Sequence, residues 1–240
     1  MSKDGDCVLP GRPKASGGFA VIDLEATGSS SRRHRVVELA VVLLDRDFGP
    51  EGEFSTLVDP EGPVGPTHIH GIESRHVEAV GVPLFGQIAP RLLGLLRGRA
   101  LVGHNVGCDR AFLAAEYARL GVEFPHVPEL CTMRMAALRD PAPGGLSLLA
   151  CAEAAGLAGW SVHTALGDAR TTARLFSSYV LDRPGGRAQA ERALAGAAAV
   201  EWPQMTGADA LWVGRRGANR TPAGNVPSQQ KVSYVRNGGA

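Results

Sequence analysis

The chain has 240 residues, a formal net charge of +1, 44% hydrophobic and 20% charged residues, which bounds it as one globular domain of ordinary size with room for an appendage. So balanced a charge excludes a strong general field toward nucleic acid or membrane and leaves any nucleic-acid contact to local basic clusters. No apolar stretch approaches the roughly 20 residues that span a bilayer, and Lys3, Asp4 and Asp6 do not read as part of a secretory signal, so a cytoplasmic location and no membrane partner are expected.

Residues 1–17 are polar and rich in Gly and Pro, and are expected to be disordered. Phe19, Ala20, Val21 and Ile22 open a short buried strand that runs to Glu25. VVELAVVLLD at 36–45 predicts a second strand, mostly buried, and EFSTLV at 53–58 a third. Pro60, Gly62, Pro63, Gly65 and Pro66 mark a loop. Ile88, Leu92, Leu95 and Leu96 give helical spacing over 84–96, and Ala100–Gly103 is a short fourth strand. A helix over 108–120 turns Phe112, Leu113 and Leu120 inward and closes at Gly121. A fifth strand is expected near 130–133, then helices over 146–155 and 165–181. Three successive strands, then helices interleaved with short strands, describe an α/β sheet with a meander at one edge. Arg187–Val200 fits an Ala-rich helix, and disorder is expected from Pro203 onward. Cys7, Cys108, Cys131 and Cys151 are scattered without a Cys-x-x-Cys pair and read as reduced thiols.

The chemistry starts at DLEATG, residues 23–28. Side chains two apart on a strand share a face, roughly 6–7 Å apart. Asp23 and Glu25 therefore leave the first strand as a pair of like charges, an arrangement that calls for a cation between them. Magnesium and manganese prefer such oxygen ligands. GHNVGCD, residues 103–109, ends a strand, turns through Asn105 and Gly107, and places Asp109 in the first turn of a helix. Alone, an acid there is explained by the helix dipole and Asn105 by capping. HTALGD, residues 163–168, brings Asp168 into a helix, with Gly167 allowing close approach to a strand or metal cluster. Residues five apart on a helix lie about 140° apart, so His163 can share a site with Asp168 only from the preceding loop.

DLEATG, GHNVGCDRAFL and HTALGDARTTARLF occur in this order, with lesser echoes in VVELAVV at 36, IHGI at 69–72 and LSLLACAEAAGL at 146. Together they resemble the DEDDh (DnaQ-like) 3′–5′ exonucleases, the family of the proofreading epsilon subunit, ribonuclease T and oligoribonuclease. The resemblance spans about Phe19 to Tyr179; Cys131, where relatives often carry Asp before Thr, departs from the pattern outside the five catalytic positions. It implies a ribonuclease-H-like mixed five-stranded sheet flanked by helices, with the first strand central. It implies an exonuclease domain at 18–183, after a disordered segment at 1–17 and before an Ala/Gly-rich tail at 184–240. It also implies two divalent ions, Mg2+ or Mn2+, about 3.5–4 Å apart, on Asp23, Glu25, Asp109 and Asp168, with His163 taking the proton from the attacking water. A free imidazole, with a pKa near 6.5, suits that task.

By the same resemblance, Leu24 and the backbone of Ala26 and Thr27 meet the terminal nucleotide, and His70 approaches the 3′ end. Local packing explains His70 equally well. His104 and Asn105 are expected to order the loop after the fourth strand. Arg110, Arg170 and the cluster Arg32, Arg33, His34 and Arg35 are open between phosphate contact and a solvated surface. The partner is nucleic acid with a free 3′ end, DNA favoured over RNA, cleaved to nucleoside 5′-monophosphates. The rival readings are an inactive nucleic-acid-binding or scaffold module and a phosphodiesterase acting on short oligonucleotides. The tail after Pro184 could tether a polymerase or another replication or repair partner; its basic residues Arg215, Arg216, Arg220, Lys231 and Arg236 fit equally a nucleic-acid arm or a solvated, disordered end. Only Leu211, Trp212 and Val213 offer a docking stripe there. Oligomeric state is left open.

Overall fold

The computed structural model describes residues 17–79, 81–139, 144–157, 159–207 and 213–215. Five strands form one sheet: β1 (Phe19–Ala26), β2 (Val36–Leu44), β3 (Pro50–Leu57), β4 (Ala100–Gly103) and β5 (Glu129–Cys131). Their spatial order is β3-β2-β1-β4-β5, which puts β1 at the centre. The β1–β2 and β2–β3 pairs are antiparallel, while β4 and β5 run parallel to β1. The helices are α1 (Thr67–His70), α2 (Ser74–Val77), α3 (Phe85–Leu96), α4 (Val106–Arg119), α5 (Thr132–Ala136), α6 (Leu148–Ala154), α7 (Ala165–Leu181) and α8 (Gly186–Ala198). No described helix is long and apolar enough to cross a membrane.

Helices cover both faces of the sheet, which is why β1 and β2 read as near-continuous apolar runs rather than alternating ones. On one face, Phe19 and Val21 of β1 pack with Ala40, Val42 and Leu44 of β2 against α7 and α8. Phe176 of α7 meets Phe19 edge-on, ring centroids 4.9 Å apart. On the other face, Ala20 and Ile22 pack with Leu39 and Val41 against α3 and α4. Strand alternation continues past the apolar residues, so Asp23 and Glu25 emerge on the α7 side, beyond Phe19 and Val21.

The loop at 60–66 carries two further short helices behind it, α1 and α2, which the sequence did not announce. They enclose a small cluster of Val37, Leu57, Val64, Ile72 and Val77. Gly65 is left-handed (φ 84°), and a Cβ there would lie 2.3 Å from the Thr27 carbonyl oxygen, so only glycine lets this loop lie against the end of β1. β5 ends at Cys131 and runs directly into α5, which shortens the expected strand. Gly121 closes α4 with φ 72° as expected. Leu120 does not turn inward: it sits at the helix C-cap and is 40% exposed.

Beyond residue 183 the described residues up to 207, and 213–215, lie on the domain. Ala190, Ala193, Leu194 and Ala197 of α8 are buried in the α7-side core. The disorder expected from Pro203 onward does not hold for the described residues there. Trp202 and Met205 pack against the α3–α4 side, and the Arg97 guanidinium donates to the Pro203 carbonyl at 3.1 Å. One aromatic and one methionine suffice as anchors in an otherwise polar stretch. Residues 1–16 and 216–240 lie outside the described residues, as do Leu211 and Trp212.

Leu194→Ala should cost about 2–5 kcal/mol in urea unfolding, with the whole transition shifting as one. A change below about 0.5 kcal/mol would mean that α8 is an appendage rather than part of the core.

Candidate active site

The expected acids converge where β1, α4 and α7 meet. Asp23 and Glu25 are partly buried at the end of β1, while Asp109 and Asp168 are each 7% exposed in the first turns of α4 and α7. Asp109, Asp168 and Glu25 lie near enough to Asp23 to raise its pKa by repulsion, added to the larger effect of burial. His163 sits in the loop before α7, as a shared site requires, with a left-handed backbone (φ 58°). One ligand atom from each of Glu25, His163 and Asp168 falls within a 4.8 Å group.

Local bonds hold each piece. Thr164 caps α7, its hydroxyl accepting from Gly167 N–H at 3.2 Å. The close approach that Gly167 permits is to this capping loop: a Cβ there would lie 2.5 Å from the Ser161 carbonyl oxygen. That corrects the expected approach to a strand or metal cluster. The Trp160 indole N–H donates to one oxygen of Asp168 at 2.7 Å, and the His163 backbone N–H donates to the other at 3.0 Å. Asn105 occupies the N-cap position of α4, left-handed at φ 70°, but its side chain makes no capping bond. His104 ties the neighbouring loops, Nδ1 to Thr132 Oγ1 at 2.9 Å and Nε2 to the Leu146 carbonyl at 2.8 Å.

Three residues the sequence reading left without a role at the site stand beside it. Glu38 of β2 is 3% exposed and pairs in register with Glu25. One of its oxygens accepts from Ala165 N–H at the start of α7, 2.9 Å away. Arg215, from the far end of the chain, grips Glu38 with two bonds of 2.8 Å. Trp160 is the third. Glu38 is the one charged residue within the apolar run of β2, the one available signal. Nothing in the sequence linked it to Arg215, 177 residues away.

Other candidates resolve less directly. Leu24 and Ala26 pack against the α3–α4 core. Thr27 exchanges bonds with Arg35, its hydroxyl accepting at 3.0 Å and its N–H donating to the Arg35 carbonyl at 2.9 Å. The His70 ring is buried and accepts from Ile72 N–H at 3.0 Å through Nδ1; burial pushes its pKa down. Arg35 pairs with buried Glu116 at 2.9 Å, Arg110 with Glu129 at 3.1 Å, and Arg170 with Glu53. These cations thus have internal carboxylate partners.

Burial and mutual repulsion lift the carboxyls together. Glu25 is raised from 4.5 to about 7, by burial first and then by Glu38 and Asp168. Asp109 is raised from 3.8 to about 8 by burial, although N–H groups of its own backbone and of Leu24 bond it and pull the other way. Asp168 is also raised by burial, against the Trp160 and His163 bonds. Four carboxylates and one imidazole form a donor set suited to hard divalent cations, which would favour the ionised acids where water does not.

A family model described as Exonuclease (RNase_T) matches residues 20–176. The chain belongs to this exonuclease family. The DNA polymerase III subunit epsilon of Aquifex aeolicus is 36% identical over 163 residues, covering 67% of this exonuclease and 79% of that protein. A PolC-type DNA polymerase III of Caldanaerobacter subterraneus is 30% identical over 126 residues, 51% of this chain but 9% of its own length. Exonuclease X in complex with 5′ overhanging duplex DNA superposes with a TM-score of 0.57 at 25% identity, over 73% of this chain and 99% of that one. E. coli Exonuclease I with a dA16 oligonucleotide, at 17% identity and a TM-score of 0.63, shares the fold over 72% of this chain and 42% of its own. The protein is thus a DnaQ-like nucleic-acid exonuclease on a ribonuclease-H-like sheet, from a family that works with divalent metal.

A carboxyl whose folded pKa is raised stabilises the fold below its unfolded pKa and loses that contribution as pH climbs through the folded value. In chelator, the melting temperature should therefore fall between about pH 5 and 8, as Glu25 and Asp109 pass about 7 and about 8. Mg2+ should raise it more at pH 8 than at pH 5. Differential scanning calorimetry at both pH values checks this; an equal rise at the two would count against cation binding by these acids.

Proposed function

We propose that this chain is a 3′–5′ exonuclease that removes nucleoside 5′-monophosphates from a free 3′ end, with DNA preferred over RNA. The observation that carries the proposal is the convergence of Asp23, Glu25, Asp109, Asp168 and His163 from three elements and a loop onto one end of the central strand. The likeness to a DNA polymerase III epsilon subunit supports the preference for DNA. Association with a replication or repair polymerase is supported by that likeness alone.

Asp23, Glu25, Asp109 and Asp168 would hold two divalent ions, Mg2+ or Mn2+. Bound there, the ions would activate water and neutralise charge developing at the scissile phosphate and the departing 3′ oxygen. Asp23, next to the other three acids, is placed to serve both ions. The exposed His163 imidazole takes the proton of the attacking water. The His163 peptide is fixed through its own N–H on Asp168, so base and ligand move as one unit. Leu24 and the backbone at Ala26 and Thr27 continue from the ligands along β1 and would seat the terminal nucleotide. Thr27 is immobilised for this by Arg35 and by the glycine-lined approach of the loop at residue 65.

His163→Ala should lower kcat by about 10²–10⁴-fold and leave KM little changed. Asp168→Ala should abolish cleavage with the fold intact. A 5′-labelled oligonucleotide should give a metal-dependent ladder shortening from its 3′ end. Full activity in Asp168→Ala, or product released from the 5′ end, would refute the assignment.

A further inference from the structure

We propose that Arg215 is a positioning residue, a clamp that fastens the His163 loop and the His70 loop to β2 through Glu38. The inference rests on the reading of His163 as proton acceptor, and adds to that reading a residue from outside the matched region.

The segment that carries Arg215 is seated on the sheet. Val213 accepts from Leu57 N–H at 2.8 Å through its carbonyl and donates its own N–H to Thr56 Oγ1 at 2.9 Å. These bonds extend the end of β3 and bring the next side chain but one over β2. There the Arg215 guanidinium forks onto Glu38, Nε to one oxygen and Nη2 to the other, each at 2.8 Å. The remaining donors reach two loops: Nη1 to the His70 carbonyl at 2.6 Å, and Nη2 to the His163 carbonyl at 3.3 Å.

Two features make this more than a surface pair. Glu38 has a side chain only 4% exposed and stands directly across from Glu25. Like charges opposed across antiparallel strands repel, and a buried carboxylate needs a partner; Arg215 supplies it. The His163 peptide, meanwhile, is bonded at both ends, N–H to Asp168 and C=O to Arg215. A histidine at φ 58° is uncommon and persists only where its surroundings over-determine it. Glu38 also bonds the first N–H of α7. One guanidinium thus sets β2, the start of α7 and both histidine loops relative to one another. Lysine has the charge but not the planar fork.

The test compares the full-length wild type, Arg215→Ala, Arg215→Lys and the double variant Arg215→Ala/Glu38→Gln, which leaves no unpaired buried carboxylate should the single change fail to fold. Hydrogen exchange by mass spectrometry is followed in residues 160–164 and 68–72, with 85–96 as an internal reference, beside steady-state cleavage of a 5′-labelled oligonucleotide. Exchange in both loops should rise about tenfold or more in Arg215→Ala and in the double variant, with 85–96 unchanged. kcat should fall about 10–100-fold with KM within about threefold, and Arg215→Lys should recover little of it. Unchanged exchange overturns the clamp whatever the activity; faster exchange with normal kcat overturns the positioning role. A wild type that cleaves nothing would refute the hydrolase reading instead, and exchange alone would then decide the clamp.

Discussion

Like charge crowded into a poorly solvated corner is the constraint around which this fold is arranged. Asp23, Glu25, Asp109 and Asp168 are lifted by burial, and at the first three repulsion from neighbouring acids adds to it. Glu38 stands opposite Glu25 in the register of β1 and β2. Five carboxyl groups so placed would destabilise the domain if nothing opposed them. What opposes them is local: Trp160 and His163 N–H on Asp168, Leu24 N–H on Asp109, Ala165 N–H and Arg215 on Glu38. The N-termini of α4 and α7 add the positive ends of their dipoles beside Asp109 and Asp168. The residual imbalance is what divalent cations would relieve.

The two cores make such crowding tolerable. β1 is fully buried over Phe19–Ile22, gripped on both faces, so the carboxylates beyond it cannot relax apart by bending the strand. The same alternation that sends Phe19 and Val21 toward α7 sends Asp23 and Glu25 there too. Packing and chemistry are thus two ends of one strand. The His163 loop has no core of its own and depends on point contacts, which is where strain in the backbone collects.

Elements with a strong period or a marked boundary were legible from the residues. β1, β2, α3, β4 and α7 fall within a residue or two of their expected limits, because each carries an unbroken apolar pattern or a cap such as Thr164. The convergence of Asp23, Glu25, Asp109 and Asp168 was legible only through three motifs taken together, since each acid alone has an ordinary explanation. Short helices α1 and α2 were not legible: four residues offer no period, and they form around a cluster drawn from β2, β3 and the loop. The Arg215–Glu38 pair was invisible for the same reason in stronger form. No local rule joins residues 177 apart, and a basic residue in a glycine-rich tail looks solvated. The cluster with His34 and Arg35 was open between phosphate contact and a solvated surface, yet Arg35 bonds the buried Glu116 and His34 Nδ1 accepts from Ser30 N–H at 2.9 Å; spacing cannot tell an internal ion pair from an external one.

The central claim is that Glu25 and Asp109, raised to about 7 and about 8, give up protons when a cation binds. Mn2+ binding measured by titration calorimetry at pH 6.5, in two buffers of different ionisation enthalpy, counts the protons released. With Glu25 near 7 and Asp109 near 8, binding should release about one proton or more per chain, and Asp23→Asn should bind Mn2+ far more weakly. Tight binding with no proton released, or binding unaffected by Asp23→Asn, would contradict the account.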